Sequence, residues 1–488
     1  MKSTKIFIQF TLVMAALLLV PSCAVNPVTG KKQLMLFSEK QEIQMGKEYD
    51  PQVIAAFGLY EDEELSNFIS RVGKEMGKLS HRPDLEYHFR VLDSPVVNAF
   101  AVPGGYVYFT RGILAQFNNE AELVGVLGHE IGHITARHTV SQQSKQQIGQ
   151  LLLVGGMIAS EEFRQFADYA MQGMQLLFLK FGRDAESQSD RLGVEYSTKI
   201  GYNSREMADF FQVLNKMRME SESGGVPTFL STHPDPADRY ERVNELTEAW
   251  QDSLPRDNYL VNEKDYLRMI DGIVYGEDPR QGFVENSTFY HPELRFKYPV
   301  PSGWRLQNTP MQVQMAPEDG RALMIFSIAQ ENDLNSAAQT TIKNLNLDNL
   351  DVKRTNVNGM PALVAVSTQT SQNQQTGEQQ TIKVLSYFID YTDRIYVFHG
   401  VTSEAEFNSY FRLFESTMVN FDKLTDPSKL NVEPTRISIK EVQRNSTVAE
   451  VFQYYGVPQD RRVELALLNN MELNEQVSRG ELIKIISE

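Results

Sequence analysis

The sequence predicts a multidomain α+β protein: a mainly helical domain with a small β-sheet, then an α+β sandwich, then a small βααβ module. Its 488 residues are enough for about three domains. Apolar residues recur at helical spacing over most of residues 23–265, whereas residues 287–425 alternate with the period of a strand. Residues 433–488 read as strand, helix, helix and strand.

The chain opens with MKSTKIFIQFTLVMAALLLVPSC, a basic start followed by an apolar run over residues 6–20. This run is too short for a spanning helix and is typical of a signal peptide over residues 1–22. The small residue before Cys23 predicts a bacterial lipoprotein signal with Cys23 as the lipidated residue. The alternative is an ordinary secretory signal with an incidental cysteine. No disulfide is expected, because the sequence has one cysteine.

The next elements are a tether, helices and short strands. Residues 24–37 predict an extended tether, and Ser38 with Gln41 forms a capping-box pattern that starts a helix. A second helix is expected over residues 63–79, where apolar residues fall on one face. Residues 87–93 and 99–110 predict short strands around a Pro-Gly-Gly turn.

Helices dominate the rest of the first domain. Asn119 is the expected N-cap of a helix that carries the segment LGHEIGHITARH, residues 127–138. Residues 143–180 read as helical, and their role as a lid, a membrane contact or plain core is left open. Further helices are expected from about residue 184 past 196 and over residues 204–218.

The charge balance bears on partners. The net charge is −16, and no basic block compensates it. A nucleic-acid partner is therefore not expected, because such proteins present a basic face.

The segment LGHEIGHITARH carries the strongest chemical signal. His129 and His133 lie four residues apart, so both imidazoles leave one face of the helix. This spacing lets two nitrogens hold one Zn²⁺, and Glu130 is placed to take a proton from the attacking water. The alternative is a helix with two ordinary histidines. Against it, Gly125, Gly128 and Gly132 cost about 1 kcal/mol each in a helix, which predicts a closely packed neighbour.

A catalytic zinc needs a third protein ligand and an open position. His138 lies five residues after His133, off the ligand face, so a supporting role is expected for it. In FGRDAESQSDRLGVEY, Glu186 and Asp190 are four residues apart on one helix face. Glu186 is the candidate third ligand, and Asp190 is expected to hold the free ring nitrogen of a liganding histidine. Taken alone, this pair would read as a solvated acidic face.

The run NAFAVPGGYVYFTRGILAQFNNEAELVGVLGHEIGHITARH, with Glu186 and Asp190 downstream, resembles the HtpX / CAAX-prenyl-endopeptidase family of zinc metallopeptidases. The likeness covers about residues 23–250 and is greatest to a branch of periplasmic, outer-membrane-associated lipoproteins of envelope quality control. It implies a zincin-like domain over residues 23–265 with one Zn²⁺ per chain. The usual Ser before Arg183 is Gly182 here, which affects local loop detail.

The resemblance also implies roles for individual residues. His129, His133 and Glu186 would hold zinc, Glu130 would be the catalytic base, and Asp190 the supporting carboxylate. Peptide-bond hydrolysis by metal-activated water follows.

Two further features depend on this likeness. The strand beginning Asn98, Ala99, Phe100 is expected to align an extended substrate. His233, in STHPDPADR, is a candidate fourth ligand or oxyanion stabiliser, and the alternative is a loop histidine before a proline turn.

The C-terminal tail, residues 433–488, resembles a LysM-type module, which implies peptidoglycan as a candidate partner. A plain packing module is the alternative. No role is predicted for residues 287–425. The expected function is thus a lipid-anchored zinc endopeptidase of misfolded or envelope proteins, on the periplasmic side of the bacterial envelope and attached to the outer membrane. Its rivals are a tethered chaperone or scaffold with a plugged metal site, and a peptidoglycan-binding anchor.

Overall fold

The computed structural model describes residues 23–144, 180–220, 228–234, 239–372 and 379–487. Most of the segment 143–180, for which helices were predicted, lies outside the described residues. Among the residues described, no helix is both long enough and apolar enough to cross a lipid bilayer. The predicted α+β, multidomain fold class is confirmed.

The first unit is mainly helical around a small sheet. Its strands are β1 (Cys23–Val25), β2 (Lys32–Leu34), β3 (His88–Leu92), β4 (Ala99–Val102) and β5 (Tyr106–Thr110). Its helices are α1 (Glu39–Phe57), α2 (Glu63–Leu79), α3 (Arg111–Gln116), α4 (Glu120–Thr135), α5 (Arg183–Lys199), α6 (Arg205–Glu220), α7 (Thr228–Thr232), α8 (Arg239–Ser253) and α9 (Glu263–Met269). Strand β5 pairs in parallel with β3 and antiparallel with β4, so β4 is an edge strand.

Local signals in the sequence account for the helix starts. Ser38 and Gln41 form the predicted capping box of α1. Asn119 accepts a hydrogen bond from the Glu122 N–H and so caps α4, as predicted. Helix α4 is buried along its whole length, which places it at the centre of the unit.

Residues 24–37 differ from the predicted extended tether. Strands β1 and β2 form an antiparallel hairpin, with Cys23 opposite Leu34. The turn forms because the Asn26 side chain accepts hydrogen bonds from the N–H groups of Val28 and Thr29, and Gly30 adopts a positive φ of 67°. A side-chain–backbone turn of this kind leaves no periodic signal in the sequence.

The second unit is a sheet-rich α+β sandwich. The strands are β6 (Phe283–Glu285), β7 (Thr288–His291), β8 (Phe296–Pro299), β9 (Trp304–Asn308), β10 (Gln312–Pro317), β11 (Ala322–Ile328), β12 (Asp348–Val357), β13 (Met360–Gln372), β14 (Gln379–Tyr391), β15 (Arg394–Ser403) and β16 (Asp422–Lys423). Seven of them are arranged in the order β12-β13-β14-β15-β11-β10-β9, and a smaller sheet has the order β16-β8-β7-β6. The helices are α10 (Leu334–Asn344), α11 (Phe407–Val419) and α12 (Pro427–Leu430).

The tail contains the strand, helix, helix and strand expected from the sequence, and two additional strands of two residues each that were not expected. It comprises β17 (Arg436–Glu441), β18 (Ser446–Thr447), α13 (Val448–Tyr454), α14 (Arg462–Leu468), β19 (Gln476–Val477) and β20 (Leu482–Ser487), with β17 paired to β20. Its apolar side chains belong to the same hydrophobic cluster as the first unit.

A buried lysine strengthens this contact between the tail and the first unit. The Lys484 ammonium is fully buried and donates to the carbonyls of Ala115, Gln116 and Phe117 at the end of α3, and to Leu468. The tail is therefore packed against the loop that leads into α4.

Candidate metal centre

Two helices cross at close range to form the centre. The glycines of α4 allow this approach: the Gly128 position, if it carried a Cβ, would place that atom 2.9 Å from the Gly193 carbonyl oxygen of α5. A Cβ at Gly132 would lie 3.1 Å from the Leu192 Cβ, and one at Gly125 would lie 2.6 Å from the Met207 Cβ. The glycines predict a closely packed neighbour, and α4 has two: α5 beside Gly128 and Gly132, and α6 beside Gly125.

Four side chains converge between these helices. His129 and His133 come from α4, Glu186 from the first turn of α5, and His233 from the residue after α7. All four are buried, and one candidate ligand atom from each lies within 4.8 Å of the others. The structure therefore brings together the three predicted ligands and the histidine predicted as a fourth.

The spacing of these atoms fits a tetrahedral cation. Zinc at about 2.0–2.1 Å from each ligand sets neighbouring ligand atoms about 3.3 Å apart. Here the His129 and His133 Nε2 atoms are 3.0 Å apart, and they lie 3.5 and 3.4 Å from Glu186 oxygens. The His233 Nδ1 atom is 3.1 Å from Glu186 Oε1 and 3.3 Å from His129 Nε2.

The hydrogen bonding of Glu186 also fits a metal. Its Oε2 is buried and accepts no hydrogen bond from the described residues, and the Arg239 guanidinium is 3.7 Å away. An unsatisfied buried carboxylate oxygen is costly unless a cation compensates it. Three imidazoles and one carboxylate form a donor set suited to Zn²⁺.

Asp190 lies behind the cluster. Its Oδ1 is 3.0 Å from His129 Nδ1, which leaves Nε2 of that ring directed at the other ligands. Arg239 and Arg242 donate to Asp190 from α8, at 2.6 and 3.0 Å. The Arg239 guanidinium also lies 3.6 Å from the centre of the Phe211 ring. Sequence reasoning missed both arginines, because only the burial of Asp190 makes a cation necessary there.

His138 and Phe181 hold the second imidazole. His138 Nδ1 is 3.1 Å from His133 Nδ1, and its Nε2 is 3.0 Å from the Gln188 side-chain oxygen. The Phe181 ring lies 4.0 Å from the His133 ring, centre to centre. His138 thus contacts a ligand without joining the cluster.

Glu130 faces His233 across the centre. Its Oε1 is 3.6 Å from His233 Nε2, and both of its carboxylate oxygens are buried without a hydrogen bond among the described residues. Burial raises the pKa of Glu130 above its ordinary value. A carboxylate with a raised pKa is suited to taking up and returning a proton.

The surroundings shift the pKa values of the two α4 imidazoles in opposite directions. Burial lowers the pKa of His133 well below its usual range, which favours the neutral form that binds metals. Burial acts in the same direction on His129, but Asp190 and Glu186 outweigh it and raise the pKa to about 9. The two carboxylates thus draw positive charge to this point.

The predicted substrate strand is covered in this structure. Asn98, Ala99 and Phe100 are buried. At the free edge of β4, the Phe229 N–H donates to the Val97 carbonyl at 3.0 Å, and the Thr139 hydroxyl donates to the Ala101 carbonyl at 3.3 Å. The turn that carries His233 is thus bonded to the residue two positions before β4, and Thr139 covers the free edge of β4 itself.

Residues 63–247 match the family model described as Peptidase family M48. This part of the chain is similar to M48 peptidases. The match supports the prediction of a metallopeptidase. The similarity is to the M48 family and not specifically to the predicted HtpX group, because the relatives reported below are beta-barrel assembly-enhancing proteases and OMA1.

The curated relatives include beta-barrel assembly-enhancing proteases. The protein of Yersinia pestis is 26% identical over 66% of this chain and 63% of its own length. That of Escherichia coli K12 is 27% identical over 45% of this chain and 47% of its own. The mitochondrial metalloendopeptidase OMA1 of Arabidopsis thaliana is 28% identical over 36% and 34%. The chain thus spans about half of the length of the Escherichia coli protease and less than two thirds of the length of the Yersinia pestis protease.

Proposed function

We propose that the chain is a zinc endopeptidase anchored in the bacterial envelope through a lipid on Cys23. The observation that carries the proposal is the tetrahedral spacing of His129, His133, Glu186 and His233 beside an unpaired Glu130. When bound, Zn²⁺ supplies a Lewis acid that polarises the scissile carbonyl and acidifies water. The beta-barrel assembly named for some of the relatives and the signal-like N-terminal sequence support the location.

The chain's own groups have distinct roles in this proposal. Glu130 takes the proton of the attacking water and returns it to the leaving amine. Asp190 keeps His129 in the tautomer that presents Nε2. Arg239 in turn keeps Asp190 ionised. Burial opposes ionisation of this carboxylate, but the arginine holds the pKa of Asp190 below its ordinary value. Substrate lies along β4 once the turn at α7 has moved away.

In this proposal, the resting state of the site is the one in which His233 is a fourth metal ligand. As a fourth ligand it would occupy the position that a catalytic zinc leaves open, and its turn is bonded at the same time to Val97, just before β4. His233→Ala is then expected to raise the cleavage rate while zinc is retained by three ligands. If His233 instead stabilises the oxyanion, the same variant lowers kcat by about 10²–10³.

The substrates proposed are unfolded or envelope proteins, in keeping with the names of the relatives. The experiment that tests the activity compares cleavage of unfolded casein by the wild type and Glu130→Gln. A loss of about 10²–10⁴ in rate is expected, with zinc content and melting temperature unchanged. The exposed Glu241→Gln is the control. Wild-type cleavage by Glu130→Gln would refute the mechanism.

A tethered chaperone or scaffold is the second candidate. The burial of all four ligands and the covered edge of β4 favour it. This candidate predicts that both the wild type and His233→Ala hold unfolded casein in solution without cleaving it. Peptidoglycan binding by residues 433–488 remains a prediction, and a pull-down that survives zinc removal tests it.

A further inference from the structure

The hairpin that begins at Cys23 is attached to the C-terminal end of the metal-binding helix α4. The Asn26 and Gln33 side-chain amides both donate to the Ala136 carbonyl, at 3.3 and 3.2 Å. The same two side chains are joined to each other at 3.1 Å. Ala136 is the C-cap of α4, so these bonds satisfy a carbonyl that the helix leaves free.

The rest of the connection to α1 is held to the same end of α4. The Arg137 guanidinium donates to the Phe37 carbonyl at 3.2 Å, and the Leu36 N–H donates to the Ser144 hydroxyl at 3.0 Å. The Met35 side chain is fully buried. Residues 26–37 are therefore held to the C-terminal end of α4 by several hydrogen bonds, and they do not form a flexible linker.

We infer that the preferred substrates are polypeptide segments held at the membrane surface, because a lipid on Cys23 fixes the metal centre within about 25 Å of the bilayer. The inference rests on the proposed function, and specifically on the lipidation of Cys23 and on peptidase activity. A soluble unfolded chain is the competing substrate.

The distance follows from the short path between the lipid and the centre. Three residues from Cys23 to Asn26 span at most about 10 Å. The three residues from Ala136 back to His133 rise about 4.5 Å along α4. The two side chains and the hydrogen bond between Asn26 and Ala136 add on the order of 10 Å.

An open cavity beside the centre lies at this same end of α4. It has a volume of about 430 Å³ and is lined in part by His138, Ser141 and Phe181. Phe181 stacks on His133, and His138 contacts the same imidazole. The Ser141 N–H donates to the carbonyl of Arg137, the residue that binds the connection to α1. The cavity and the lipid attachment point thus share one end of the helix.

Tethering on one surface raises the local concentration of enzyme and substrate. For a short flexible linker the effective concentration is on the order of millimolar, and it falls as the linker exceeds the distance to be spanned. An enzyme whose centre is fixed close to the bilayer therefore favours substrates with short membrane linkers.

The test uses the full lipidated chain in phosphatidylethanolamine–phosphatidylglycerol vesicles. A fluorogenic unstructured peptide is presented free, or lipid-attached through a Gly/Ser linker of 5 or 60 residues. The wild type is expected to cleave the short-linked peptide roughly tenfold or more faster than the free peptide at equal bulk concentration. A 40-residue helical (EAAAK)8 spacer inserted after Ala24 lifts the body by about 60 Å. It should remove this advantage and leave the free rate unchanged.

The control carries the same spacer at the exposed turn at Gly320. Equal wild-type rates on the short-linked and free peptides, or an advantage that survives the spacer after Ala24, would overturn the inference. Failure to cleave any peptide would instead refute the proposed activity. A fluorophore on Thr29→Cys then tests the placement itself: headgroup quenchers should quench it in the parent protein, and no quenching would overturn the inference.

Discussion

The crossing of α4 and α5 makes a sharp prediction for Gly128→Ala. The added methyl would lie 2.9 Å from the Gly193 carbonyl oxygen and 3.1 Å from its Cα. Ordinary contacts begin near 3.4 Å, so the helices must separate by about 0.5 Å. Both contacts are backbone atoms, which cannot rotate away. Because α5 carries Glu186 and Asp190, the separation moves one ligand away from the two histidines.

Two opposing effects set the magnitude for stability. Alanine favours the helix over glycine by about 1 kcal/mol, whereas overpacking costs about 1–3 kcal/mol. The net free energy of unfolding should therefore fall by up to about 2 kcal/mol. Misplaced catalytic groups are more sensitive, since a displacement of about 1 Å can cost 10²-fold in rate. A loss of roughly tenfold in kcat/KM and in zinc affinity is expected.

The assay measures urea unfolding, zinc affinity by chelator competition, and peptide cleavage. Gly182→Ala is the matched control, because Gly182 precedes α5 with a φ of −85° and a Cβ added there would meet no atom within 4 Å among the described residues. This control should keep zinc affinity. If Gly128→Ala raised stability and kept full zinc affinity, as helix propensity alone predicts, the argument from close packing would be wrong.

Three other perturbations follow from the structure. Glu186→Ala removes the one carboxylate of the candidate ligand set and should therefore weaken zinc affinity more than His233→Ala does, measured by chelator competition. The exposed Asp184→Ala on the same helix should keep the wild-type zinc affinity. Lys484→Met leaves four buried carbonyls without their donor. It should therefore lower the free energy of unfolding by about 3–5 kcal/mol in thermal melts. A small change, equal to that caused by the control Lys440→Met, would contradict this. Burial lowers the pKa of His399 to about 4, so below pH 6.5 the unfolded state binds a proton that the folded state does not. His399 should therefore lower the free energy of unfolding between pH 6.5 and 4, by on the order of 3 kcal/mol at the acid end. His399→Gln should remove this contribution in urea titrations at pH 7 and 4.5, while the contribution of His291, whose pKa burial also lowers to about 4, should stay.

The sequence predicts the parts of the centre that depend on local spacing. His129 and His133 share a helix face because they are four residues apart, and Asn119 starts that helix with a side-chain cap. The same period places Glu186 and Asp190 together on α5. Both helices could therefore be located, and the glycines of α4 predicted that another element packs closely against it.

Contacts between distant segments could not be predicted in this way. The covering of β4 depends on Phe229 and Thr139, whose partners are far along the chain and carry no shared period. Arg239 begins α8, six residues after His233, and its contact with Asp190 exists only after α8 packs on α5. The bond from Asn26 to Ala136 joins residues 110 positions apart. Registers and side-chain–backbone bonds of this kind are set by tertiary packing.

The two ends of α4 have a consequence for the order of folding. Its C-terminal end is supported by Asn26, near the start of the described chain, and the loop before its N-terminal end is supported by Lys484, which lies 369 positions after Ala115. Contacts of such long separation form late, because the entropy of closing the loop must be overcome first. The surroundings of α4 are therefore complete only after Asn26 and Lys484 have both reached their partners. We expect the two ends of the metal-binding helix to become ordered late in folding, and the metal centre to form with them.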